Sequence, residues 1–221
     1  MAPKERKTMT IANKIAEIIN KEITYGKIPA GEEITEQDIE ERFHVSNIPV
    51  REALRILEGE GYIIHRKFSG YNVRKINPEE MLECYDIMRF LTTQILSQSI
   101  PCYTELTYHH FRIIIDGMDN SNVIDNTVSL FKKFVEEAFT SAGLKYSMEL
   151  AMQIMNHNTP IIKGMVEKIY KGKFPTAFLR QFMQLCQQKE TKKGIKIWMD
   201  EYEQRTKNYV SILSIITSDI M

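Results

Sequence analysis

Between residues 34 and 73 the period of the apolar positions changes twice, and each change marks a new element. Ile34, Ile39 and Phe43 form a stripe that predicts a short amphipathic helix starting near Thr35. There Thr35-Glu36-Gln37-Asp38 sets an acid three residues after a hydroxyl, the capping-box pattern that satisfies orphan backbone donors. The stripe breaks at His44-Val45-Ser46. Ser46 then stands where it can cap a second helix, whose apolar residues Val50, Ala53, Leu54 and Leu57 recur at three- and four-residue spacing. Pro49 fits the first turn of that helix, where a backbone donor would be unpaired in any case. After Gly61 the run from Tyr62 to Arg74 alternates and turns at Ser69-Gly70, which predicts a two-stranded hairpin.

Beyond residue 75 the pattern is helical throughout. Asn77 as a cap, Pro78 at the first helical position and Glu79-Glu80 in the first turn announce a new domain. Apolar periodicity predicts helices over about 78–99, 104–118, 123–141, 145–156, 159–171, 175–188 and 190–218, separated by Pro, Gly and Asn-rich breaks. These residues hold enough Ile, Leu, Met and Phe for an independent core. The predicted fold is mainly α, with a winged helix-turn-helix of three helices plus a small β-hairpin over 1–75 and an all-α helical bundle over 76–221.

The face of the second helix opposite its apolar stripe carries Asn47, Ile48, Arg51 and Arg55, residue types that press against base edges and phosphates in a major groove. Arg66, Lys67, Arg74 and Lys75 on the hairpin supply charge for a DNA backbone, and Gly70 permits close approach. A solvated hairpin with ordinary surface charge is the plainer reading of that segment alone; directly after the helix pair, DNA contact is preferred.

The run Val45-Ser46-Asn47-Ile48-Pro49-Val50-Arg51-Glu52-Ala53-Leu54-Arg55-Ile56-Leu57-Glu58-Gly59-Glu60-Gly61-Tyr62-Ile63 resembles the signature of GntR-type winged helix-turn-helix regulators. An upstream Ile-x-x-Gly-x-Ile-x-x-Gly frame from Ile23 to Gly31 fits that family's first helix and exit turn. The helical remainder is similar to the FadR/FCD-like subgroup, which carries an all-α effector-binding domain. The resemblance implies base contacts from the start of the recognition helix and from the helix before it. The family's usual Arg residues fall here on Asn47 and Gln37, and only Arg51 of that trio is kept. Asn and Gln favour adenine in bidentate contacts where Arg favours guanine, so an operator unlike the common family sites is expected. The candidate DNA-binding set is Gln37, Ser46, Asn47, Ile48, Arg51, Arg55, Arg66, Lys67 and Gly70.

Charge limits how such a protein reaches DNA. The chain has 221 residues with 29 basic and 29 acidic side chains, so no net charge steers it and affinity has to come from a local patch. Lys4, Arg6 and Lys7 form a short basic arm that could add to that patch. No apolar run approaches the roughly 20 residues that span a bilayer, and no signal-peptide pattern opens the chain, so a cytoplasmic protein without a membrane partner is expected. Cys84, Cys102 and Cys186 lack paired spacing and read as packing residues, not disulfides or zinc ligands.

Members of the FCD type hold a metal through an Asp and three His, and the metal helps bind a carboxylate effector. Aligned by pattern, those positions fall near Val128, Lys132, Gln181 and Tyr202, which do not rebuild the site, so neither metal nor cofactor is expected. His109 and His110 point about 100° apart on a helix and cannot chelate from one face. His157 reads as a polar cap in a helix-ending turn. Arg89 matches the Arg that the family directs at its effector pocket; an inward guanidinium would suit an anionic ligand, whereas an ion pair with Asp86 is an equal alternative. The Met and Phe residues of the bundle read mainly as core. With no phosphate loop, nucleophile elbow or catalytic pair, an enzyme is not expected. The expected function is that of a homodimeric, effector-responsive transcription regulator on palindromic double-stranded DNA. The alternative is a helical interaction module whose winged domain docks a protein.

Overall fold

Ala12, Ile15, Ala16 and Ile19 lie on one face of α1 (Ile11–Thr24), buried against the apolar stripe Val50, Ala53, Leu54 and Leu57 of α3 (Asn47–Gly59). This is the core of the first of two compact units, Met1–Ile76 and Asn77–Met221. The computed structural model describes residues 10–24, 27–66, 70–75 and 77–218. Helix α2 (Glu36–Phe43) closes the core with Ile39. Its start is set by Thr35, whose hydroxyl accepts from the Asp38 backbone N–H at 3.1 Å. Asp38 does not return the bond to the Thr35 backbone; its carboxylate accepts a hydrogen bond from the Thr35 hydroxyl at 2.6 Å, so half of the predicted capping box forms. At the other end His44 adopts φ 51°, which turns the chain sharply into α3 with its N–H on the Glu40 carbonyl. Ser46 stands at the N-cap of α3, but its side chain makes no capping bond.

The predicted hairpin is β2 (Ile63–Arg66) and β3 (Gly70–Val73), paired antiparallel with His65 opposite Tyr71. A third strand, β1 (Glu33–Ile34), pairs with β3 on its other edge and gives the order β1-β3-β2. Ile34 therefore belongs to a strand and not to the α2 stripe where periodicity placed it. Two residues carry too little alternation to be read as a strand.

Among the described residues the second unit packs seven α-helices: α4 (Pro78–Ser99), α5 (Glu105–Asp119), α6 (Ile124–Thr140), α7 (Lys145–His157), α8 (Thr159–Lys168), α9 (Ala177–Gln187) and α10 (Thr191–Ser218). Asn77 caps α4 by accepting from the Glu79 N–H at 2.9 Å. Helix α8 stops short of the predicted residue 171 because the chain reverses through Lys171 and Gly172, with φ of 50° and 84°. The core is aromatic: Phe131, Phe134, Phe139, Phe178 and Phe182 surround Trp198, with Trp198 edge-on to Phe182 at 5.6 Å. Among the cysteines Cys186 is buried, Cys84 half-buried and Cys102 exposed, so a packing role does not extend to Cys102. His157 Nε2 lies 2.6 Å from Glu80 of α4. No helix among the described residues is long and apolar enough to cross a membrane.

A candidate nucleic-acid interface

Burying Val50, Ala53, Leu54 and Leu57 forces the opposite side of α3 outward, and that side carries the predicted readers. Ile48 is 78% exposed, and Arg51 and Arg55 are exposed one turn apart beyond it. An isoleucine left this bare on a short helix is suited to a thymine methyl or another apolar edge. Ser46 and Gln37 are also exposed, with the Gln37 amide donating to Glu41 along α2 at 2.9 Å.

Asn47 and Arg51 are not free-standing. The Asn47 amide donates to Glu36 at 2.8 Å and to Glu40 at 2.5 Å, and Arg51 Nε lies 3.0 Å from both carboxylate oxygens of Glu36. Hydrogen bonds from Asn47 and Arg51 hold the Glu36 carboxyl below its ordinary range, against a smaller opposing effect of burial. On the domain's other flank Arg42 of α2 grips Glu22 of α1 with two guanidinium nitrogens, at 2.7 and 2.5 Å, and the Glu22 pKa is lowered by those bonds.

In the wing Arg66 is exposed and Gly70, at φ 72°, meets only distant atoms where a side chain would start. Lys67 falls outside the described residues, as does the basic arm Lys4, Arg6 and Lys7. Arg74 is 8% exposed, so burial removes it from the basic face that the sequence allowed it. Tyr71 was missed by sequence reasoning. Its ring packs against the domain core and beside His65 at 5.0 Å, and its hydroxyl pKa is raised by burial and by Glu58 and Glu36, with Arg55 and Arg51 opposing. The wing strand thus reaches the charged side of α3.

Residues 11–73 match the family model of bacterial regulatory proteins of the gntR family. The amino-terminal domain is therefore similar to the GntR family. A curated protein of Paenarthrobacter nicotinovorans, described as "Probable D-xylose utilization operon transcriptional repressor", is 32% identical over 78 residues, 35% of this chain and 34% of its own. The match thus spans about a third of that relative. Solved structures share the fold over nearly the whole chain. A GntR family transcriptional regulator from Pseudomonas syringae pv. tomato is 20% identical at a TM-score of 0.60, covering 95% of this chain and 89% of its own. E. coli McbR/YncC is 13% identical at a TM-score of 0.62, covering 94% and 99%.

In the helical unit, the positions implied by the GntR resemblance are occupied by other chemistry. Val128 is core, Lys132 donates to Asn156 Oδ1 at 2.9 Å, Gln181 is exposed, and the Tyr202 hydroxyl pairs with Thr92 at 3.1 Å. Among the described residues no three metal-ligating side chains converge. Arg89 lies on an exposed face, its side chain half-exposed and 3.7 Å from Asp86, so it does not point into the bundle. The inward guanidinium is Arg205 of α10. It is 7% exposed, paired with Glu201 at 2.8 Å, and stacked over Phe131, Phe174 and Phe178 at 4.8–5.4 Å. Beside it a cavity of about 40 Å³ is lined by Arg205, Asn158, Tyr202 and Cys84, among others. Arg205 Nη2 and Asn158 Oδ1 are buried there without a hydrogen-bond partner. Sequence periodicity offered no signal for Arg205, because it sits in a polar stretch, Asp200 to Asn208, of the last helix.

Proposed function

We propose that this protein is a sequence-specific transcription regulator, not an enzyme, that binds a palindromic operator as a homodimer in the cytoplasm and responds to a small-molecule effector. The observation that carries the reading is the outward face of α3, with Ile48, Arg51 and Arg55 exposed on a domain that matches the GntR family. Solved relatives of the same overall fold are GntR regulators, which supports extending the reading from the first domain to the chain. Two copies related by a two-fold axis present two α3 helices to successive major grooves, with Arg66, Lys67 and Gly70 on the flanking backbone.

An effector regulates only by binding the DNA-competent and incompetent arrangements with different affinity. The cavity beside Arg205, where Arg205 Nη2 has no hydrogen-bond partner among the described residues, supports a site for one small polar group of an effector. At about 40 Å³ it exceeds the roughly 10–15 Å³ that one water needs. The DNA reading is tested by titrating a random 30-base-pair duplex with full-length protein across a salt series. Binding whose log affinity falls linearly and steeply with log salt is expected, as phosphate contacts require. A flat or absent dependence would favour protein docking instead.

A further inference from the structure

We propose that Glu36 and Glu40 of α2 determine what α3 reads: they turn Asn47 into an acceptor-only reader and aim Arg51 at guanine with both terminal nitrogens. The inference rests on the DNA-binding function proposed above and deepens it.

Carboxylates only accept hydrogen bonds. Both contacts to Asn47 therefore come from its amide nitrogen, and the orientation of the amide is fixed by its partners. One N–H goes to Glu36 and the other to Glu40, leaving Oδ1 as the group that can face DNA. Reading adenine with two bonds takes a donor for N7 and an acceptor for the N6 amine. With its donors engaged, Asn47 can only accept, from N6 of adenine or equally from N4 of cytosine. The adenine preference expected from residue type alone thus becomes tolerance of adenine and cytosine, with exclusion of guanine and thymine, which present only acceptors at that edge.

Arg51 is held differently. Its Nε is shared between the two oxygens of Glu36, which fixes the guanidinium plane, and among the described residues neither terminal nitrogen is bonded. Two parallel donors remain, the pattern that matches O6 and N7 of guanine. Asn47 and Arg51 stand one helical turn apart, so the two readings fall at nearby positions of one half-site. Glu36 is a positioning residue for both readers and Glu40 for one, which gives the two carboxylates separable effects.

The test starts from the duplex that full-length wild-type protein enriches from a random pool, and measures dissociation constants for every single-base change in a half-site. One position is expected to accept adenine and cytosine within about threefold and to disfavour guanine and thymine by roughly tenfold or more, the scale of one lost base contact. Asn47→Ala should flatten that position. Glu40→Ala frees one N–H for adenine N7 and should raise the adenine-to-cytosine ratio about fivefold or more, whereas Glu40→Gln, which keeps an accepting oxygen, should leave it near wild type. Unchanged discrimination at the guanine read by Arg51 confirms that each variant is folded. An adenine-to-cytosine ratio that Glu40→Ala leaves unmoved, or a wild-type position that takes adenine alone, would overturn the proposal while leaving the regulator intact. Failure to enrich any sequence would overturn both.

Discussion

Arg51 ends in a guanidinium tied to Glu36 on one side and bare on the other, so truncation removes the tie and the reading edge together. Arg51→Ala is expected to weaken operator binding by about 1–3 kcal/mol in a titration at fixed salt. Arg51→Lys should recover little of that, because a lysine offers no parallel pair of donors. Charge at the residue scale also sets a pH dependence. The Glu22 carboxyl has a folded-state pKa below its ordinary value of 4.5, held down first by hydrogen bonds from Arg42. Its stabilising effect is therefore complete above that ordinary value and is lost as pH falls through the lowered one. Arg42→Met should lower the thermal midpoint near neutral pH, and the gap to wild type should close as the pH falls below that ordinary value and through the lowered one. Much of this scale was legible in the sequence: Ile48, Arg51 and Arg55 lie on the face opposite an apolar stripe, and periodicity alone puts them outside. The capture of Asn47 was not legible, since its partners belong to another helix and their approach depends on the turn at His44. The exchange of Arg89 for Arg205 as the inward cation has the same cause, because burial of a guanidinium is decided by which rings the tertiary fold brings over it.

At the scale of elements, helix starts were read well where one side chain decides them and poorly where pairing decides. Thr35 and Asn77 cap α2 and α4 as their positions imply. Ser46 looks like a cap in sequence but makes no capping bond. Thr35→Ala should therefore cost about 1 kcal/mol of folding stability in a denaturant titration, and Ser46→Ala only a few tenths at most. A loss of operator affinity in Ser46→Ala without a loss of stability would support its place in the DNA-binding set. The strand β1 escaped notice because two residues cannot show alternation; it exists through the register of Glu33 and Ile34 against β3. The ends of the bundle helices followed Pro, Gly and Asn, as at the Gly172 turn after α8.

On the scale of the whole molecule, each of the two compact units holds a core of its own. Phe134 is fully buried between Phe111 and Phe182, and Phe134→Ala is expected to cost the bundle about 3–5 kcal/mol, measured by calorimetry or denaturant unfolding. The division into a winged domain and a helical bundle was visible from the change of period and the Asn77-Pro78 start. The cavity beside Arg205 was not, because it is assembled from α4, α6, α7, α8 and α10 and no stretch of chain contains it. The most direct test of the regulator reading is to select duplexes from a random pool with the full-length protein at two salt concentrations and to sequence those retained. An enriched inverted repeat with half-sites about one helical turn apart, retained less at the higher salt, is the expected result. Retention of no common sequence at either salt would contradict it.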